Sequence, residues 1–209
     1  MSTKQWYKVL LEENLTTEIK EETGMREPSL SRVERKSPEV DWGRTWGYLN
    51  TKGLGGEKMS FLLRMLYDIL PVNSRLFRMN LSQSPLCDLC TCGTVQDLPH
   101  ALLECQFNSF VNDWIVAVLI NIDPGLIDAE LTATKISTLN FPIDHESKFP
   151  ILWFLAVSLS LIWEGRKIRK PMSVEKLQAL IGAEVEILKQ TKYRKSADKI
   201  DIATNFSIV

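Results

Sequence analysis

SQSPLCDLCTCGTVQDLPHALLEC, residues 82–105, holds all four cysteines of the chain and one of its two histidines. The spacing is Cys87-x2-Cys90-x9-His100-x4-Cys105. Zinc takes four soft or borderline ligands in a tetrahedron, with sulfur at about 2.3 Å and imidazole nitrogen at about 2.0 Å. Two cysteines three positions apart can present both sulfurs from one tight turn. Gly93 lets the loop turn back, and Asp97 with Pro99 starts a helix that carries His100. Positions five apart do not share a face of an ideal helix, so the His100–Cys105 stretch must distort or end. Cys87, Cys90, His100 and Cys105 thus read as a closed set for one structural zinc ion, with no position left for water. Cys92 is the spare thiol and competes with Cys90. The bland alternative is ordinary buried thiols and a surface histidine. His145 has no ligand-spaced neighbour and reads as a surface loop residue.

Outward from this stretch the pattern is helical. Residues 57–70 place Phe61, Leu62, Met65, Leu66, Ile69 and Leu70 on one face, with Pro71 as the stop. Ser74 reads as the cap of a short helix with Leu76, Phe77 and Met79 inward. Upstream, Trp42, Trp46 and Leu49 form a helical stripe, and 51–56 is a loop. Residues 18–36 read as a charged linker, preceded by a short helix with Trp6, Val9 and Leu10 on one side. Downstream, Phe107, Phe110, Val111, Trp114, Val118 and Leu119 suggest a helix to about residue 121. Residues 149–168 form a buried helix, and Ser173 caps a last one. Residues 122–146 have no clear pattern. The expected architecture is mainly α: an irregular helical module with a small CCHC zinc-knuckle insert. Its segments are 1–50 (N-terminal helices and linker), 51–122 (zinc-binding module), 123–193 (C-terminal helices) and 194–209 (a frayed tail).

The chain has 209 residues and a formal net charge of −1, which hides segregation. Residues 1–80 carry 13 Lys+Arg against 11 Asp+Glu; residues 81–147 carry one against nine; residues 148–200 carry 11 against five. Four cysteines are too few for a disulfide scaffold. MSTKQWYKVLLEE at the start is no signal peptide, since its apolar stretch is short and runs into acids. ILWFLAVSLSLIW, residues 151–163, is shorter than the roughly 20 residues a spanning helix needs. These features lead to the expectation of an intracellular protein, nuclear or cytoplasmic, with no membrane partner.

The cysteine stretch and its approach resemble the zinc-binding C-terminal segment of LINE-type (non-LTR) retrotransposon reverse transcriptases. The likeness is loose at Trp6-Tyr7, Asp41-Trp42 and Trp46. It sharpens at MSFLLRMLYDILPVNSRLFRM, with Leu70-Pro71 and Arg75-Leu76-Phe77-Arg78, and peaks at CDLC and HALLEC. LIWEGRK, residues 161–167, is similar to the Ile-Trp-x-x-Arg-Asn element that follows in the family. The chain departs at Gln96-Asp97, where Glu-Thr is usual, and at Lys167, where Asn is usual. The resemblance covers residues 40–115 well. It implies a helical module that follows the polymerase domain and helps to bind template RNA or target DNA, here detached from that domain.

No polymerase Asp-Asp signature, nuclease constellation, catalytic triad or P-loop is visible, so the chain reads as a non-enzyme. Asp144 and Glu146, two apart in a loop, read as solvated charge. Candidate phosphate contacts are Arg64, Arg75 and Arg78 near the knuckle, and Arg166, Lys167, Arg169 and Lys170 at a helix end. Lys189, Lys192, Arg194 and Lys195 make a further basic group. Binding to RNA or DNA should be weak and salt-sensitive, because the acidic middle repels phosphate. Helix dipoles favour cations at C-termini without any ligand. The alternative function is a zinc-stabilised interaction or scaffold module. It would contact a polymerase domain or a second copy through exposed aromatics drawn from Trp6, Trp42, Trp46, Trp114, Trp153 and Trp163, although core packing is the stronger reading for most of them. A decayed element fragment without a selected role is the other alternative.

Overall fold

A computed structural model describes residues 39–108 and 110–205 of the chain. The expected helix at Trp6, the linker at 18–36 and Trp6-Tyr7 lie outside the described residues. The described part is mainly α-helical, with α1 Trp42–Leu49, α2 Gly56–Leu66, α3 Asn73–Arg78, α4 Val111–Ile122, α5 Ala133–Thr138, α6 Lys148–Lys167, α7 Val174–Lys189 and α8 Arg194–Thr204. Among the described residues the only β pairing is a single antiparallel bridge, Leu86 to Val95.

The fold is organised around α6. Its residues from Pro150 to Leu159 are all buried, so it has no solvent face over that length. A helix that is apolar all round must be covered on every side. Helices α2, α4, α7 and α8 pack against it, together with the turn His100–Glu104. By length and composition α6 is apolar enough to cross a membrane, yet 72% of its apolar window is buried inside the protein. Trp114 of α4 meets Phe154 of α6 edge-on at 5.7 Å between centroids. One buried cluster runs from Val40 to Ala203, across the expected boundaries at 122 and 193.

Several boundaries differ from the sequence expectation, each for a local reason. Helix α2 ends before Pro71. Asp68 takes a left-handed φ of 50° and the Ile69 N–H closes onto the Arg64 carbonyl at 3.0 Å. This is a Schellman ending, in which a left-handed residue satisfies the last carbonyls. The Arg75 Nη1 then donates to the Asp68 carbonyl. Helix α6 stops the same way, ahead of Pro171. Arg169 has φ 53° and the Lys170 N–H bonds the Gly165 carbonyl at 2.9 Å. A Cβ on Gly165 would come within 2.9 Å of the Lys170 carbonyl oxygen, so the ending leaves no room for a larger residue. Helix α3 begins at Asn73, so Ser74 is not its cap, and it buries no residue fully. Phe110, expected inward, is 78% exposed with a left-handed φ of 68°.

The expected tail requires the main correction. Residues 194–204 form α8, with Ala197, Ile200 and Ala203 buried against α4, α6 and α7. Lys189 ties its end of α7 to Asp201 at 2.6 Å. The charged surface of α8 hid a narrow apolar stripe at i, i+3, i+6. Core packing, the reading that the sequence favours for most of the tryptophans, holds for the described ones: Trp42, Trp114, Trp153 and Trp163 are buried, and Trp46 is half-buried and stacked near Trp42.

If α8 is part of the core, Ile200→Asp strands a buried carboxylate. It should cost at least about 3 kcal/mol of unfolding free energy, while the exposed Ile202→Asp should stay within about 0.5 kcal/mol. Denaturant unfolding of the two variants decides this; equal effects would mean that α8 does not pack.

Candidate metal centre

Residues 85–97 bury little apolar surface and are held by main-chain bonds. The Cys87 N–H donates to the Thr94 carbonyl at 2.9 Å, and the Gln96 N–H to the Pro85 carbonyl at 2.9 Å. Gly93, at φ 67°, supplies the left-handed turn between them. The Asp97 Oδ1 accepts from the His100 N–H at 3.0 Å, which starts the next turn. That turn, His100–Glu104, is a single π turn, closed by the Cys105 N–H on the His100 carbonyl at 2.9 Å. The distortion expected from the five-residue spacing takes this form. It buries Ala101, Leu102 and Leu103 in the core while His100 and Cys105 face Cys87 and Cys90.

The ligand atoms of Cys87, Cys90, His100 and Cys105 all lie within 4.8 Å of one another. Cys87 Sγ is 3.7 Å from Cys105 Sγ, and Cys90 Sγ is 3.5 Å from His100 Nε2. A tetrahedral zinc with ordinary bond lengths has sulfur–sulfur edges of about 3.8 Å and sulfur–nitrogen edges of about 3.5 Å. Two edges thus already have that length. Cys87, His100 and Cys105 are buried and Cys90 is half-buried. These four residues lie close enough to bind one metal ion, and three sulfurs with one imidazole suit zinc.

Cys92 is exposed, with Sγ 3.9 Å from His100 Nε2. Its sulfur is in bonding contact with that of Cys90. An oxidised pair withdraws Cys90 from any metal; a reduced pair offers Cys90 as ligand with Cys92 beside it.

Two side chains that the sequence reading did not connect to the cysteines reach Cys87. Gln96 Nε2 approaches its sulfur at 3.4 Å. The same Gln96 accepts from the Asn73 N–H at 2.9 Å, and its carbonyl accepts from the Ser74 N–H at 3.1 Å. It therefore caps α3 from across the loop, where Val72 offers no side-chain cap. Arg166 Nη2 lies 3.5 Å from Cys87 Sγ. Burial pushes the Cys87 thiol up, but hydrogen bonds from Gln96, the Leu89 backbone, Arg166 and His100 outweigh it and lower it to about 6. Arg166 was expected to face nucleic acid. It is 6% exposed instead, and its Nη1 is buried with no hydrogen-bond partner. The buried guanidinium thus lies against the Cys87 sulfur with one donor unused.

The other expected phosphate contacts are spread over the surface. Arg64 is half-buried and donates to the Ser60 carbonyl, and Arg75 is turned towards Asp68. Arg78 is exposed, 3.9 Å from Asp68. Lys167, Arg169 and Lys170 are exposed. Lys167 pairs with Glu164 at 2.6 Å and Arg169 with Asp88 at 2.5 Å. Pro71, Asn73, Asp88, Lys167 and Arg169 line one open cavity of about 200 Å³, which brings the ends of two helices to the cysteine loop. His145, Asp144 and Glu146 are exposed, as expected of a loop.

No protein-family model, no curated protein and no solved structure matches this chain.

Metal binding should require the reduced chain. Cys87→Ser or Cys105→Ser should abolish stoichiometric uptake, and Cys92→Ser should retain it, as read by native mass spectrometry with and without chelator. Retained uptake in Cys87→Ser would remove that residue from the set. A pH effect follows for the metal-free chain. The Cys87 thiol titrates near 9.0 when unfolded and about 6 when folded, so folding favours the thiolate. That stabilisation is complete above pH 9 and is lost as pH falls from 9 to 6. The urea midpoint in chelator should fall across this window, and Cys87→Ser should flatten the fall.

Proposed function

We propose that this chain is a zinc-stapled, non-catalytic helical module that binds RNA or DNA, similar in kind to the C-terminal segment of LINE-type reverse transcriptases. The observation that carries the staple is the convergence of Cys87, Cys90, His100 and Cys105 within 4.8 Å. One zinc ion would fill all four positions in a CCHC knuckle, leaving none open for chemistry. Bound there, it supplies cross-linking and no reaction.

The nucleic-acid reading draws support from the exposed cations beside the loop. Lys167, Arg169 and Lys170 follow one another at the end of α6, and the Arg169–Asp88 pair fixes one of them to the cysteine loop. Phosphate must compete with Glu164 and Asp88 for two of these side chains. Exposed pairs of this sort are worth about 1 kcal/mol or less, so exchange is easy and affinity is modest. The rival reading, a protein-interaction module, has its own observation. Tyr67, Phe77, Leu81, Leu86 and Val95 are large apolar side chains left exposed between the end of α2 and the cysteine loop.

A fluorescence titration of the zinc-loaded chain with structured RNA and duplex DNA separates the two. Changing Lys167, Arg169 and Lys170 together to Glu should remove most of the affinity. The log–log salt slope should fall by about 2 to 3, given 0.7 to 0.9 for each phosphate neutralised. An affinity that is the same at low and high salt would rule out phosphate contacts. No saturable binding of either nucleic acid by the zinc-loaded chain would favour the protein-interaction reading.

A further inference from the structure

We infer that Arg166 is the counter-charge of the metal centre: its buried guanidinium neutralises the three-thiolate site through Cys87 and raises that site's affinity for a divalent ion. The inference rests on the metal reading above and goes beyond it, because it gives a role to a residue outside the ligand set and 61 positions from the nearest ligand in sequence.

The charge balance decides the matter. Three thiolates and a neutral imidazole around a divalent ion leave one net negative charge. Cys87, His100 and Cys105 are buried, so that charge is largely shielded from water. A buried charge is tolerated only when it is paired. Arg166 is 6% exposed, and among the described residues no carboxylate lies within ion-pair distance of it. The nearest acid on its own helix, Glu164, is paired with Lys167, and the acid of the cysteine loop, Asp88, is paired with Arg169. What the guanidinium does face is Cys87 Sγ, 3.5 Å from Nη2, while Nη1 has no partner at all. A cation buried with no acid and one idle donor is unfavourable in a structural core. Beside an anionic sulfur cluster it is the group that balances the charge. Arginine also suits the place better than lysine, since its guanidinium is more weakly hydrated and always charged.

Position in the fold supports the assignment. Arg166 sits in the last turn of α6, the best-anchored helix, directly before the left-handed ending at Arg169. The Arg169–Asp88 pair holds the same loop to the same helix end from outside. The sulfur therefore meets Arg166 at a fixed place. Gln96 gives Cys87 a second, neutral N–H at 3.4 Å.

The test uses the full chain reduced and reloaded with zinc or cobalt(II), and the readouts are metal affinity by chelator competition and the cobalt–thiolate charge-transfer band. Arg166→Met should weaken affinity about 10- to 100-fold, the range seen when groups that support a ligand are removed. Its charge-transfer band should move to longer wavelength, because a sulfur that loses N–H donors is more electron-rich. Arg166→Lys keeps the charge and should recover part of both. A residue that only fills space would leave the band in place. Should Arg166→Met lose its helices by circular dichroism, Arg166→Gln against Arg166→Lys gives the same comparison, with the Gln variant the weaker binder. Unchanged affinity and an unchanged band in the neutral variants, with one ion bound to the unaltered chain, would overturn the inference alone. An unaltered reduced chain that binds no ion would overturn the metal reading itself.

Discussion

A helix with no polar face cannot stand at a surface, and α6 has none over most of its length. That single constraint organises the described residues. Water must be excluded from every side of residues 150–159, so the chain returns to α6 repeatedly, with α2 and α4 before it and α7 and α8 after it. Even the charged stretch after Tyr193 is drawn in, because Ala197, Ile200 and Ala203 can close the last gap beside α4 and α7. The polar face of α8 stays in water, and only a thin apolar stripe touches the core.

The same helix sets the chemistry at its far end. Once α6 is fixed, its last turn cannot avoid the cysteine loop, and two arginines three residues apart take opposite roles there. Arg169 stays outside and pairs with Asp88; Arg166 goes inside and meets Cys87. The loop contributes little apolar area of its own. It is held by a pair of main-chain bonds, by Gln96 bridging to the start of α3, and by the π turn that places His100 and Cys105 against Cys87 and Cys90. In the proposed reading, one ion held by the four clustered ligand atoms would give that loop the local order that a hydrophobic core gives elsewhere.

The surface around that loop is balanced in charge. Two of the cations at the end of α6 are answered by acids, and Tyr67, Phe77, Leu81, Leu86 and Val95 are exposed apolar side chains. A partner that binds here must displace weak ion pairs, bury some apolar area, or do both. Selectivity would then come from shape more than from net charge.

The ligand set, the stripe at Trp42 to Leu49, the long apolar helix and the Ser173 cap were legible in residues alone, because each is a local pattern: a spacing, a periodicity, a side chain two or three positions from the group it satisfies. Even the need for distortion between His100 and Cys105 followed from helix geometry. The helix endings at Asp68 and Arg169 were not legible, since a left-handed residue other than glycine carries no compositional mark and Pro71 and Pro171 drew attention downstream. The partners of Cys87 were hidden for a different reason. Gln96 and Arg166 reach that sulfur only because α3 and the end of α6 pack on the loop, and a basic run at a helix end reads as surface until something covers it. Sequence by itself determined which residues can bind a metal and which must be buried. Tertiary structure alone decided which cation is left facing the sulfurs, because that depends on where distant helices meet.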